Sequence, residues 1–136
     1  MEEDPRGIRN RNPGNIRFNQ RYVWLGQQSH DADGFVIFDT ALHGLRAMGI
    51  LLRHYAEYDG VNTVRQVIDR WDGRTDLSVA DYIDYVANYC HVSANQVIKV
   101  IDYLVLLMDA IIQFENGENP YNPATVVHAV ELSTTW

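Results

Sequence analysis

The sequence predicts an all-α fold behind a long, loop-rich N-terminal segment, and three observations predict it. Between Ile101 and Phe114, the residues Leu104, Val105, Leu107, Met108, Ala110, Ile111 and Ile112 make a helix apolar on nearly every side, the pattern of a helix buried in mid-fold. From Thr40 to Leu132, apolar positions recur at helical spacing between residues that cap or stop helices. Residues 5–39 lack that spacing; Pro5, Gly7, Pro13, Gly14, Gly26 and Gly34 punctuate them, and Asn10, Asn12, Asn15 and Asn19 favour turns.

Taken in order, the N-terminal segment reads as loop. Asn12-Pro13-Gly14-Asn15 is a turn by mechanism, because Pro13 presets its own φ and Gly14 accepts a positive one. Phe35–Phe38 is a candidate extended segment, enough for a small β-hairpin. Thr40 caps a helix running to about Tyr58, which Asp59-Gly60 stops. A second helix is expected over Val61–Trp71, with Val64, Val67, Ile68 and Trp71 on one face and Asp72-Gly73 as its end. Ser78 with Asp81 has the spacing of a capping box and opens a helix carrying Tyr82, Ile83, Val86 and Tyr89. Ser93 with Gln96 repeats the device ahead of the core helix. Asn122 as cap and Pro123 at the first helical position begin a last helix to about Leu132. At 136 residues one domain is expected, residues 1–136, with helices over 40–132.

Composition excludes several classes. One cysteine, Cys90, rules out a disulfide framework, and the five histidines show no metal-ligand spacing, so no metal or other cofactor is expected. No phosphate-binding glycine loop or nucleophile elbow is present. The Ile101–Phe114 run is too short, and with Asp102 and Asp109 too acidic, to span a membrane; no secretory signal is visible at the N-terminus. The net charge of −7 argues against a nucleic-acid partner, but it hides an asymmetry. Residues 5–30 hold five arginines (Arg6, Arg9, Arg11, Arg17 and Arg21) and no acid. That patch either meets an anionic partner, such as a phosphate or the carboxylates of a peptidoglycan stem peptide, or is a solvated loop balancing an acidic body.

Glu115 is the candidate catalytic residue. It stands where the apolar run ends, and a general acid needs surroundings that oppose ionisation, which a helix C-terminus and partial burial supply. The plainer alternative makes it the first solvated residue after the helix, with Gly117 as the C-cap.

Several stretches, in one order along almost the whole chain, resemble a family of small phage and prophage proteins often labelled virion structural proteins. They are Arg6-Gly7-Ile8-Arg9-Asn10, Asn12 to Arg17, Trp24-Leu25-Gly26-Gln27, Phe35 to Asp39, Gly44 to Met48, Gly60 to Val64, and Glu115-Asn116-Gly117 with Pro120-Tyr121. Glu115 to Pro120 also resembles the catalytic motif of soluble lytic transglycosylases, in which a helix ends in Glu-Ser-Gly and a proline follows. In the related glucosaminidases the glutamate motif comes first, then an asparagine-rich turn and a tryptophan loop; here the order is reversed. The resemblance therefore implies a lysozyme-like domain, circularly permuted. It implies cleavage of the β-1,4 bond between N-acetylmuramic acid and N-acetylglucosamine by a single-glutamate mechanism. Glu115 would be the acid/base, and Asn12, Asn15, Trp24, Asn116 and Tyr121 would contact the sugar.

The sequence departs from that pattern at Ala41 and Leu42, where relatives are expected to carry a proline and an acid. Asp39 is the nearby carboxylate able to act as a second acid, and equally a favourable helix N-terminal charge. Two functions stay open: a peptidoglycan-cleaving enzyme, or a non-catalytic virion assembly or binding protein retaining the fold. The partners would be glycan strands or virion proteins, and the location the virion or the host cytoplasm.

Overall fold

The computed structural model describes residues 4–73 and 78–135. Helix makes up 55% and strand 7%, so the protein is mainly helical, as expected, with one two-stranded hairpin. Helix α1 (Arg6–Arg9) is a single turn, followed by strands β1 (Gln27–His30) and β2 (Val36–Phe38). Then come α2 (Ala41–Tyr58), α3 (Val64–Asp72), α4 (Ser78–Tyr89), a 3-10 turn (Val100–Tyr103), α5 (Leu104–Asn116) and α6 (Pro123–Leu132).

The N-terminal segment is more ordered than its sequence suggests. Strands β1 and β2 pair antiparallel, with His30 opposite Val36 and an irregularity between Gln27 and Ser29. Residues 16–18 lie along the other edge of the Gly34–Val36 segment: Val36 N–H donates to the Ile16 carbonyl at 3.0 Å and Phe18 N–H to that of Gly34 at 2.8 Å. Asn12 anchors the whole segment. It is fully buried, its Nδ2 donates to the Ile16 and Val36 carbonyls at 2.9 Å each, and its Oδ1 accepts from Ile16 N–H at 2.9 Å. An amide side chain thus takes the place of ladder bonds that a loop cannot make for itself.

Helix α5 is the core. Leu104, Leu107, Met108, Ala110, Ile111 and Ile112 are buried along it, and it contacts α1, α2, α4 and α6. Each fully buried Leu or Ile contributes roughly 1.5–3 kcal/mol, so this face outweighs any local preference. Leu106 and Phe114 are exposed at 39% and 37%, so the helix keeps one open side; there Phe114 stacks on Tyr82 with ring centroids 4.0 Å apart. Helix α2 lies across the core, burying Leu45, Met48 and Leu52 and packing on α5 and α6. A Cβ on Gly44 would collide with the Arg11 carbonyl, so glycine lets the N-terminal chain lie directly on α2.

Caps fall where the sequence puts them for α2 and α6. Thr40 accepts from His43 N–H at 3.2 Å, and Asn122 from Ala124 N–H at 2.9 Å ahead of Pro123. Two helix starts differ from expectation. Helix α3 begins at Val64 rather than Val61, because Thr63 caps it through Gln66 N–H and Asn62 gives its carbonyl to Ile98 N–H at 2.8 Å. The Ser93–Gln96 pair closes a turn, not a helix: the chain beyond it is held extended by that Asn62–Ile98 bond, and α5 starts only at Leu104, after the 3-10 turn. Helix α4 is described from Ser78 onward, and residues 74–77 before it lie outside the described residues. Among the described residues, no helix is long and apolar enough to cross a membrane.

Candidate functional site

Residues 12–15 of the N-terminal segment meet residues 115–116 at the C-terminal end of α5. Helix α5 runs through Asn116 and ends on Gly117 at φ 73, a left-handed value that glycine adopts without a Cβ penalty. Glu115 therefore belongs to the last turn of the core helix, where it is half-buried, and is not a residue beyond it. The positive φ expected at Gly14 falls instead on Asn15, at φ 52. Gly14 is there for close approach, since a Cβ would lie 2.6 Å from the Trp71 ring. Asn15 donates from Nδ2 to Glu115 Oε1 at 3.0 Å. Next to it, Asn116 Nδ2 donates to the Pro13 carbonyl at 2.8 Å and to its own helix at Ile112 at 3.0 Å. The Asn12–Asn15 turn is thus clamped to the end of α5 across about a hundred residues of sequence.

Gly7 makes that clamp sterically possible. A Cβ there would run into Asn116 Oδ1, and would stand 2.9 Å from the Asn12 carbonyl and 3.1 Å from Asn15 Oδ1. Three oxygens converge on its Cα, and no larger residue leaves them room. The Arg-Gly-Ile-Arg stretch carries its glycine for this close approach.

Glu115 and Asn15 line an open cleft of about 870 Å³ between the N-terminal segment and helices α2, α3 and α5. Its walls are aromatic and cationic. Tyr22, Tyr55 and Trp71 line it, with Trp71 Nε1 donating to the Gly14 carbonyl at 3.1 Å. Burial pushes the Tyr55 hydroxyl up to about 12, so it is a neutral donor at any physiological pH. Arg70 lines the cleft while pairing with Asp59 at 3.1 Å, and Asp72 also faces it. On the other wall, the Arg6 and Arg17 guanidinium carbons lie 3.8 Å and 4.5 Å from the centre of the Phe35 ring.

The remaining residues expected to contact a ligand lie elsewhere. Asn12 and Asn116 are buried and spend their amide groups on the loop and on the clamp. Trp24 is 2% exposed and does not line the cleft; Tyr22, in edge-to-face contact with it at 5.3 Å, does. Tyr121 is half-buried outside the cleft lining, and desolvation pushes its hydroxyl up to about 12. Asp39 is also absent from the lining. Its Oδ1 lies 2.6 Å from His43 Nδ1, and that hydrogen bond, with His43's charge and the Thr40 contacts, outweighs desolvation and holds the carboxyl below the usual range. Leu42 packs partly buried against the core.

Nothing in the sequence marks Trp71, Tyr55 and Asp72 as cleft residues. Trp71 read as one more apolar residue on its helix, and nothing local distinguishes a tryptophan that faces a cleft from one that faces the core. The arginine run was the available signal for the cationic wall.

The fold and cleft define a mainly helical protein with an aromatic, arginine-walled cleft built where its N-terminal segment meets the end of α5. No family model matches the chain. It is 36% identical over 124 residues to Protein P5 of Pseudoalteromonas phage PM2, an alignment covering 89% of this chain and 77% of P5. The chain belongs to the family of that phage protein.

Proposed function

We propose that the cleft binds a peptidoglycan glycan strand and that Glu115 is the acid/base cleaving the bond between N-acetylmuramic acid and N-acetylglucosamine. The protein would be a lysozyme-like domain with permuted chain order. The observation that carries this is the Asn15–Glu115 hydrogen bond at 3.0 Å between two residues that line an open aromatic cleft. A carboxyl that acts by proton transfer must be held at one angle toward the substrate oxygen, and a fixed amide N–H does that. Asn15 is on this reading a positioning residue rather than a sugar contact, and Tyr22 and Trp71 supply the stacking faces.

Glu115 gives its proton to the glycosidic oxygen as the C1–O4 bond breaks, freeing the C4 hydroxyl of the departing sugar. The same carboxylate then takes the proton of the 6-hydroxyl as that oxygen bonds to C1, giving a 1,6-anhydro end. With water in place of the 6-hydroxyl, the outcome is hydrolysis. Neither route needs a second carboxylate, so Leu42 in place of an acid is compatible with both.

Glu115→Gln tests the reading. On purified sacculi the variant should lose about 10²–10⁴-fold in lytic rate with unchanged melting temperature, while Glu118→Gln, exposed beyond Gly117, stays at the wild-type level. Equal rates in Glu115→Gln and wild type would remove the assignment. The second reading, a non-catalytic virion assembly or binding protein, is favoured by the kinship to a phage protein. It predicts a wild type with no lytic activity at all.

A further inference from the structure

We infer that Arg6 and Arg17, gathered on Phe35, receive a carboxylate carried on the lactyl side arm of the muramic acid residue. This contact would set which bond of an alternating glycan falls at Glu115. It rests on the glycan reading above.

Arg17 is exposed and, among the described residues, forms no ion pair. Its guanidinium is nevertheless held 4.5 Å from the Phe35 ring centre, next to a backbone bridge between the same two residues. An aromatic face that carries a guanidinium orients its plane and lowers the entropy cost of ordering it, while leaving the N–H edge open for a carboxylate fork. Arg6 shares the ring at 3.8 Å. Its ion pair with Asp33 is long, at 3.7 Å, and Asp33 is 73% exposed, so that pair neutralises little of its charge. Its other acidic neighbour, Asp31, is already bonded by Asn10 and by the Asp33 and Phe35 N–H groups. Its Nε is buried without a hydrogen-bond partner among the described residues. Two like charges on one ring repel each other, and a shared anion relieves that repulsion.

The ligand chemistry follows from position. Both arginines line the same cleft as Glu115, in a chain whose net charge is −7. In an alternating strand, every second sugar bears a lactyl ether on C3, and its carboxyl is either free or extended by a peptide with its own carboxylates. A cationic wall that takes this arm fixes the register: the bond at C1 of the arm-bearing sugar meets Glu115, and the other kind of bond does not. Polymers of N-acetylglucosamine alone present nothing to the arginines.

The test is equilibrium binding by the full chain carrying Glu115→Gln, so that no strand turns over. Three probes are compared: the neutral N-acetylglucosamine hexasaccharide, peptidoglycan strands stripped of peptide by an amidase, and strands that keep their peptides. At least one charged probe should bind about tenfold or more tighter than the hexasaccharide, with the margin shrinking as salt is raised. The stripped and peptide-bearing strands identify which carboxylate is read. Adding Arg17→Gln should abolish the margin and leave hexasaccharide affinity within about twofold, whereas Arg17→Lys, which keeps the charge but not the fork, should retain part of it. Arg6→Gln serves as the second variant, with the same expectation. Equal binding of all three probes, or a margin that survives both glutamine variants, overturns the inference and leaves the glycan reading standing. Binding of none of the probes overturns both.

Discussion

Asn12 and Asn15 are three residues apart in one turn, and the fold uses them differently. Asn12 is fully buried and bonded to three backbone groups, whereas Asn15 lines the cleft and bonds Glu115. Asn12→Ala strands the Ile16 N–H and removes a donor from the Val36 and Ile16 carbonyls, the second of which keeps its bond from Val36 N–H. At the usual cost of an unsatisfied buried group it should destabilise the protein by about 3 kcal/mol in urea titration. Asn15→Ala should cost about 1 kcal/mol, less than Asn12→Ala, because alanine is strained at φ 52. It should also lower the lytic rate on sacculi, because the Glu115 carboxyl loses its fixed orientation. A stability loss in Asn15→Ala as large as in Asn12→Ala would show that the turn as a whole, and not one amide, supports the cleft. The sequence marked both residues as functional; only burial separates a bolt from a positioning group.

At the scale of elements, local chemistry reads well wherever the hydrogen bonds are local. Thr40 accepts from His43 N–H, three residues on, and α2 starts where that bond says it must. Thr40→Ala should therefore cost about 1 kcal/mol, a drop of a few degrees in Tm. An unchanged Tm would mean that the packing of α2 on α5 and α6 leaves the cap no share in stability. The Ser93–Gln96 pair is the instructive miss. Its side-chain bond forms as in a capping box, but the next residues are claimed by Asn62 and by the burial of Ile98 and Val100. A cap motif specifies a turn; whether a helix follows depends on what the next residues pack against.

For the whole molecule, the acidic balance has a pH signature. Asp109, partly buried on α5, has its carboxyl raised above 3.8 by desolvation, against the lowering effect of its hydrogen bond from Asn119. A carboxyl raised on folding costs stability when ionised; the cost is present above the raised folded value and is gone below the unfolded value. Asp109→Asn should raise Tm at pH 7, with Asn119 still able to donate to the new amide oxygen, and the gain should vanish near pH 3. Asp31 works in the opposite direction. The Phe35 N–H bond, together with Asn10, Asp33 and Arg6, outweighs desolvation and holds it below 3.8, so its contribution is present above that value and is lost as the pH falls through the lowered one. A Tm gain in Asp109→Asn that is the same at pH 7 and pH 3 would point to packing rather than charge.

The amino-acid sequence by itself determined the helical class, the ends of α2 and α6, the place though not the backbone form of the Asn12–Asn15 turn, and the buried character of α5. Each depends on interactions within a turn or two of chain, or on the period of one apolar face. The tertiary structure alone decided that Trp24 goes inside while Tyr22 and Trp71 face the cleft, and that Arg6 and Arg17 share Phe35. It also set Asp39 on His43, outside the lining of the cleft that holds Glu115, and sent Asn116 to the turn. The reason is physical. An aromatic or amide side chain has the same local preferences whether it meets core, backbone or solvent. Its surroundings are set by segments that arrive from elsewhere in the chain, as when residue 15 meets residue 115.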